Sequence, residues 1–158
     1  MSDQTYASPF SWRYGRPELR ELFSERERRK LWRAVWIALA ESQSKSGLVT
    51  AAELADLRAH AGEIDLDAAL AIEREIGHDL MAEIRVFASQ ATVGGGKLHL
   101  GATSMDIEDT VEIFRMRRAR ALLLASVDAL LAAFAPQIER YADVVCMGYT
   151  HLQPAEPT

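Results

Sequence analysis

The chain has 158 residues, of which 49% are hydrophobic and 26% charged, a composition typical of a globular protein with a sizeable core. Its formal net charge of −5 provides no basic surface of the kind that binding to a nucleic-acid backbone requires. A single cysteine, Cys146, excludes an internal disulfide, and the first residues lack the layout of a secretory signal, so we expect a cytoplasmic protein.

Two capping patterns mark the first predicted helices. Ser24 followed by Glu27 predicts a helix start, and an apolar stripe then predicts a helix over about 25–46. Thr50 followed by Glu53 repeats the pattern in front of a short helix. Both segments therefore carry their own start signals.

A third predicted helix covers about 66–76 and ends at Gly77. His78 and Asp79 then open a fourth helical segment, which places His78 at a helix start. Because the N-terminus of a helix carries partial positive charge, this position favours a negatively charged ligand.

The stretch TVGGGKLHLGATS, residues 92–104, is the clearest break in helical periodicity, and it ends in Thr103 and Ser104, which can both cap a following helix. GGGK lacks the spacing of a phosphate-binding loop, so we interpret it as a flexible connector. We predict an N-terminal helical domain over 1–92 and the start of a central helical-bundle domain over 93–158.

Residues from about 105 to 142 predict one long helix, about 57 Å at 1.5 Å per residue. Pro136 removes a backbone donor and is expected to kink or split it. Its densest apolar run, ALLLASVDALLAAFA, is shorter than a membrane span and is broken by Ser126 and Asp128, so we expect no membrane association. The helix needs bundle partners, and the only candidate strand is 144–149.

Three histidines adjoin small polar or glycine-rich loop sequence, where functional residues concentrate: His78, His99 and His151. Each also has a purely structural interpretation, as a helix cap, a packed loop residue and a turn residue. His60 lies in a polar stretch, and we expect it to be solvent-exposed. Neither C-x-x-C nor H-E-x-x-H is present, so no metal site is predicted.

The combination of motifs is more specific than any one of them. SPFSWRY, GHDLMAE, HLGATSMDIEDT and GYTHLQPAEPT, read in chain order, resemble the fumarase/aspartase superfamily and, within it, the adenylosuccinate lyases. The resemblance extends over 8–158. It implies an all-α fold, with a small N-terminal helical domain followed by the first part of a long-helix bundle. It also implies an amino-terminal fragment, because THLQPAEPT precedes the second bundle helix in that family.

The chemistry implied by the resemblance is β-elimination of fumarate from adenylosuccinate, giving AMP, and from the succinylcarboxamide ribotide of purine biosynthesis. His151 is the implied general acid and His78 a second catalytic residue. The base is a serine on a later family loop, S-S-x-M-P-x-K-x-N, that this chain lacks, so we expect the chain alone to be inactive. The residues implied to bind the nucleotide substrate are Arg13, Tyr14, Asp79, His99, Thr103, Ser104, Thr150 and Gln153.

The resemblance further implies a homotetramer whose active sites combine three subunits, with no metal or organic cofactor. Gly77 stands where many members carry an arginine, which leaves one contact to an anion in doubt. Two alternatives stay open. One is another lyase or a carboxymuconate cycloisomerase of the same superfamily, and the other is a noncatalytic helical interaction module.

Overall fold

The computed structural model describes residues 6–158, and helices dominate it. The α-helices of this part of the chain are α1 (Pro17–Leu22), α2 (Glu25–Lys45), α3 (Ala51–His60), α4 (Leu66–Ile76), α5 (Asp79–Gln90) and α6 (Ser104–Tyr141). Two 3-10 turns, Pro9–Ser11 and Gly95–Lys97, and one antiparallel hairpin, β1 (Met147–Thr150) with β2 (Gln153–Pro157), complete it. The predicted all-α class is confirmed, and the candidate strand forms one arm of the hairpin.

The helix ends lie where local sequence signals predicted them. Ser24 accepts a hydrogen bond from the N–H of Glu27 at 3.2 Å and so caps α2. Thr50 and Glu53 form the full reciprocal capping box of α3, with hydrogen bonds of 3.3 and 2.7 Å. Gly77 ends α4 with φ +67°, a left-handed conformation that residues with a Cβ rarely adopt.

The chain divides into two compact units, one reaching up to Ala119 and one from Arg120 to Thr158, and α6 contributes residues to both. This division differs from the predicted domains 1–92 and 93–158, which stay a prediction.

The core of the first unit joins α2, α3, α5 and the beginning of α6. Each large apolar side chain that is fully buried here stabilises the fold by about 1.5–3 kcal/mol. Packing of these helices holds the starts of α5 and α6 close to α2. The core residues are Trp32, Trp36, Ala40, Val49, Leu57, Leu80, Phe87, Ala91, Ile107 and Val111.

The glycine-rich stretch before α6 is tightly packed, so its interpretation as a flexible connector is wrong. A Cβ on Gly94 would lie 2.3 Å from the carbonyl oxygen of Glu53, and one on Gly95 would lie 2.6 Å from the Cα of Ala88. Asp56 accepts hydrogen bonds of 2.9 Å from two consecutive N–H groups of this stretch. These hydrogen bonds, chiefly the one from Gly94, lower the pKa of Asp56. The glycines therefore permit close approach to α3 and α5.

Helix α6 runs for 38 residues without interruption, so Pro136 does not split it; a kink at Pro136 stays a prediction. An 18-residue window of α6 has a mean hydropathy of 1.8, and none of that window is buried. By length and composition alone α6 could therefore cross a membrane, which corrects the expectation that no stretch is long and apolar enough. The core helix of a soluble bundle passes the same test.

Candidate active site

His78 and Asp79 lie together at the start of α5. The Nδ1 atom of His78 accepts a hydrogen bond from the N–H of Met81 at 3.4 Å, so the ring caps the helix as predicted. Asp79 Oδ1 accepts a hydrogen bond from the N–H of Leu80 at 2.8 Å and lies 3.8 Å from His78 Nδ1. The contacts of the ring use Nδ1, which leaves Nε2 for a ligand.

Arg28 of α2 brings a permanent positive charge to this helix start. Its Nη2 atom lies 3.6 Å from Asp79 Oδ2 and 2.9 Å from Glu25 Oε2. The guanidinium carbon lies 4.8 Å from the ring centroid of Trp32, a cation–π contact that adds a second interaction to this side chain. Position 77 supplies no charge, so the arginine nearest Asp79 comes from α2.

A network of ion pairs with a fully buried centre joins α5 to α2 behind the helix start. Glu83 Oε1 accepts a hydrogen bond from Arg33 Nε at 2.7 Å, and its Oε2 lies 3.4 Å from Arg29 Nη1. Arg29 also pairs with Glu73 at 3.0 Å and donates to the carbonyl oxygen of Asp79 at 3.5 Å. Because a buried charge is tolerated only when it is paired, this network fixes the position of α5.

His99 lies half-buried in the loop before α6, with φ +61°. Its Nδ1 accepts a hydrogen bond from the indole N–H of Trp36 at 3.2 Å. Burial lowers the pKa of His99, and His78 adds to this effect whereas Asp106 opposes it. An indole nitrogen only donates, so His99 Nδ1 carries no proton and the neutral ring has its N–H at Nε2. His99 is therefore a neutral hydrogen-bond donor near neutral pH.

Thr103 directly precedes α6, and Ser104 is its first residue. The N–H of Thr103 donates to Asp106 Oδ2 at 2.9 Å, so this backbone donor is already used by the helix start. Substrate-binding roles for Thr103 and Ser104 stay predictions.

Glu108, one turn further along α6, completes the group. Burial raises the pKa of Glu108, the negative charge of Asp79 raises it further, and the electrostatic influence of Arg28 and, to a smaller extent, of His78 acts in the opposite direction. Leu80 near the start of α5 and Ile107 near the start of α6 belong to the same buried core, which brings these two helix starts together. We call Arg28, His78, Asp79, His99 and Glu108 the His78 cluster.

The second unit carries His151 at the tip of the hairpin. Thr150 and Gln153 pair directly across β1 and β2, and His151 and Leu152 form the two-residue connection with φ +51° and +64°. Two successive positive φ values are typical of a tight type I′ hairpin, in which Asn or Gly is preferred. A leucine in this conformation is strained, and such strain persists mainly at functional sites.

Arg13 and Tyr14 lie exposed in the segment before α1, and their ring contacts are local. The guanidinium carbon of Arg13 lies 4.2 Å from the ring centroid of Trp12, and the ring of Tyr14 lies 6.2 Å from that of Phe10. The structure thus gathers His78, Asp79 and His99 beside α6 in the first unit, and it gathers Thr150, His151 and Gln153 in the second. The predicted functions of all these residues stay predictions.

Sequence reasoning missed Arg28, Trp36 and Glu108. Arg28 is one of several charges in ERERRK, where nothing distinguishes it from a solvated surface residue. Its spacing of four from Trp32 is the one available signal, since residues four apart share a helix face. Trp36 looks like any core residue of the apolar stripe, and its hydrogen bond to His99 spans 63 positions.

Comparison with protein families gives a match to the family described as Lyase over residues 13–158. Among curated relatives, adenylosuccinate lyase from Schistosoma mansoni is 31% identical over 98% of this chain and 32% of its own length. Adenylosuccinate lyase from Archaeoglobus fulgidus is 35% identical over 95% of this chain and 33% of its own length. The chain spans about a third of the length of the curated relatives it matches.

Solved structures show the same similarity at the level of the backbone. The 3-carboxy-cis,cis-muconate lactonizing enzyme from Pseudomonas putida has a TM-score of 0.81 and 28% identity, covering 94% of this chain and 35% of its own. Fumarate lyase from Mesorhizobium sp. BNC1 has a TM-score of 0.76 and 27% identity, covering 91% of this chain and 36% of its own.

Proposed function

Because the chain belongs to the family described as Lyase, we propose that it is part of an adenylosuccinate lyase. The observation that carries this proposal is that relatives bearing that name match the chain over 95–98% of its residues. The reactions proposed are the release of fumarate from adenylosuccinate, which leaves AMP, and from the succinylcarboxamide ribotide of purine biosynthesis.

The reaction requires two proton movements. A base removes a proton from the carbon next to a carboxylate, the resulting electron pair forms the double bond of fumarate, and the carbon–nitrogen bond breaks. The departing nitrogen takes a proton from a general acid, which contributes roughly 10²- to 10⁴-fold to the rate. His151 is proposed as this acid, flanked by Thr150 and Gln153 as substrate-binding groups, and the base is proposed to be the serine of the family loop that the resemblance implies.

The His78 cluster is proposed to hold the substrate. The neutral His99 ring offers an N–H to a substrate oxygen without carrying a charge. His78 at the start of α5 offers Nε2, and the N-terminus of this helix favours the negative charge that develops on the carboxylate of the intermediate. Arg13 and Tyr14 are proposed to bind the nucleotide phosphate, since guanidinium groups bind phosphate in a bidentate manner.

The complete enzyme is proposed to be a cytoplasmic homotetramer that needs no cofactor. Large apolar side chains of α6 that lie exposed in the second unit support the need for helical partners. Without those partners the 158-residue chain is proposed to be inactive. These side chains are Leu123, Leu124, Val127, Leu130, Leu131, Phe134 and Ile138.

A second candidate is a cycloisomerase acting on 3-carboxy-cis,cis-muconate. It is favoured by two solved structures that carry this activity in their names, with TM-scores of 0.81 and 0.76 to this chain. This reaction closes a ring by addition of a carboxylate to a double bond, so it is chemically related to the reverse of an elimination.

The test is a substrate comparison with a protein of the relatives' full length that carries these residues. Adenylosuccinate, the succinylcarboxamide ribotide and 3-carboxy-cis,cis-muconate are offered in turn, and products are separated by chromatography. AMP and fumarate from adenylosuccinate support the first proposal. Turnover of the muconate alone would replace it with the second candidate.

His151→Ala tests the proposed acid in the same protein. We expect kcat to fall about 100-fold or more, about 2.7 kcal/mol of barrier, with a much smaller change in substrate Kd, because the proton is donated in the transition state. The control is His60→Ala. The structure corrects the expectation that His60 is simply exposed, because its Nδ1 lies 2.9 Å from the carbonyl oxygen of Asp56 and its side chain is 30% exposed. An unchanged kcat in His151→Ala would exclude the assignment.

A further inference from the structure

Asp79 lies close to two side chains, those of Arg28 and His78. Its Oδ2 atom lies 3.6 Å from Arg28 Nη2, and its Oδ1 atom lies 3.8 Å from His78 Nδ1. Asp79 and Arg28 are both less than a third exposed, at 31% and 27%, so their attraction is only partly screened by water. A change in one contact of this carboxylate therefore affects the other.

His78 Nδ1 also has two competing partners, which require opposite protonation states. It accepts from the N–H of Met81 at 3.4 Å only when it carries no proton. It attracts the carboxylate of Asp79 only when it carries one. In the neutral ring, the first arrangement, with the Met81 N–H bound to Nδ1, puts the proton on Nε2. The second arrangement, with Nδ1 facing the Asp79 carboxylate as a donor, puts the proton on Nδ1.

The position of Arg28 favours the first arrangement. By pairing with Asp79 Oδ2, the guanidinium offsets the negative charge that would otherwise draw a proton to Nδ1. Its own position is fixed by the Trp32 ring and by Glu25. The charged and titratable groups that interact with this part of the site are Glu25 on α2, His99 in the loop, and Asp106, Glu108 and Asp109 on α6.

We propose that Arg28 is a positioning residue that, by pairing with Asp79, keeps the proton of the neutral His78 ring on Nε2. The effect of Arg28 on turnover rests on the proposed function. Which ring nitrogen of His78 carries the proton depends on the structure alone. In this state Nε2 is the donor that the ring offers to a substrate oxygen. Loss of Arg28 moves the proton toward Nδ1 and removes that donor.

The ring state is measured without substrate. In the ¹⁵N-labelled 158-residue chain at one fixed pH, the shifts of the two ring nitrogens report which one is protonated. We expect the Nε2–H form of His78 in the parent chain, the Nδ1–H form in increased proportion in Arg28→Gln, and the parent form restored in Arg28→Lys. Arg58→Gln is the matched control, since Arg58 pairs with Glu41 at 2.7 Å on an exposed surface.

Turnover is measured in the full-length protein. We expect Arg28→Gln to lower kcat roughly tenfold, about 1.4 kcal/mol, with a smaller change in KM, to alter the pH profile of kcat, and to be partly rescued by Arg28→Lys. A circular dichroism spectrum confirms that each variant is folded, and Arg28→Lys keeps the test valid should Arg28→Gln not fold.

The two measurements separate the possible failures. An unchanged ring state in Arg28→Gln overturns the positioning function, and so does a large rise in KM at constant kcat, which would indicate direct substrate binding by Arg28. A changed ring state in a full-length protein that turns over none of the substrates would instead overturn the proposed function and leave the structural inference standing.

Discussion

The buried carboxylate of Glu83 gives the most quantitative prediction. Glu83→Gln keeps the shape of the side chain and removes its charge. Arg33 would then retain its hydrogen bond to the carbonyl oxygen of His60 at 2.9 Å, and Arg29 its pair with Glu73 at 3.0 Å. Arg33 is fully buried and would lose its ion-pair partner. Breaking a buried pair from one side typically costs about 3–5 kcal/mol, so we expect a loss of that size.

The exposed pair of Arg58 and Glu41 is the matched control. Its nitrogen–oxygen distance is 2.7 Å, the same as that between Arg33 and Glu83, but its side chains are 55% and 43% exposed. An exposed pair contributes about 0–1 kcal/mol, so Glu41→Gln is expected to be nearly neutral. The comparison therefore isolates the effect of burial at constant distance.

Unfolding of both variants of the 158-residue chain is followed by urea denaturation and by heating. Tryptophan fluorescence is the signal, because Trp32 and Trp36 are both buried in the first unit. At about 2–4 °C per kcal/mol, the midpoint of thermal unfolding should fall by roughly 6–20 °C in Glu83→Gln. Equal losses in the two variants, or a loss below about 1 kcal/mol in Glu83→Gln, would refute the reasoning.

Two further predictions concern the loop before α6. Burial lowers the pKa of His99 from its ordinary 6.5, so the contribution of this ring to stability should be fully present above pH 6.5 and should be lost as the pH falls from 6.5 toward the lowered pKa. The free energy of unfolding, measured at about pH 7.5 and about pH 5.5, should therefore change less between the two pH values in His99→Asn than in the parent chain. Gly94→Ala should lower the free energy of unfolding by about 1–3 kcal/mol, because the new Cβ would meet the backbone of α3. The control is Gly96→Ala, whose Cβ would meet nothing within 4 Å and which should change this free energy by no more than about 0.5 kcal/mol. Equal effects of the two substitutions in urea denaturation would contradict the prediction.

Helix ends were predictable because their signals are local. The side chains of Ser24 and Thr50 cap the helices that begin next to them, and Gly77 takes up the left-handed conformation that ends α4. Each of these interactions spans a few residues, so it can be identified from the sequence. The position of His78 was predictable too, because a helical segment opens directly after Gly77 and places His78 at a helix start.

The surroundings of those histidines could not be predicted in the same way. The contact of Arg28 with Asp79 and that of Trp36 with His99 join residues 51 and 63 positions apart and depend on how α2 packs. A turn was one interpretation of His151, but the positive φ values of His151 and Leu152 could not be predicted, because a leucine rarely adopts this conformation. Tertiary packing and backbone strain decide these features.

The packed glycine stretch has a consequence for motion. A hinge needs backbone groups that are free to change φ and ψ. Here two N–H groups are held by Asp56, and that of Gly95 donates to the carbonyl oxygen of Ala91 at 2.6 Å. Swinging the start of α6 away from the end of α5 would first break all three hydrogen bonds. These glycines act as a rigid spacer between the end of α5 and the loop that leads into α6.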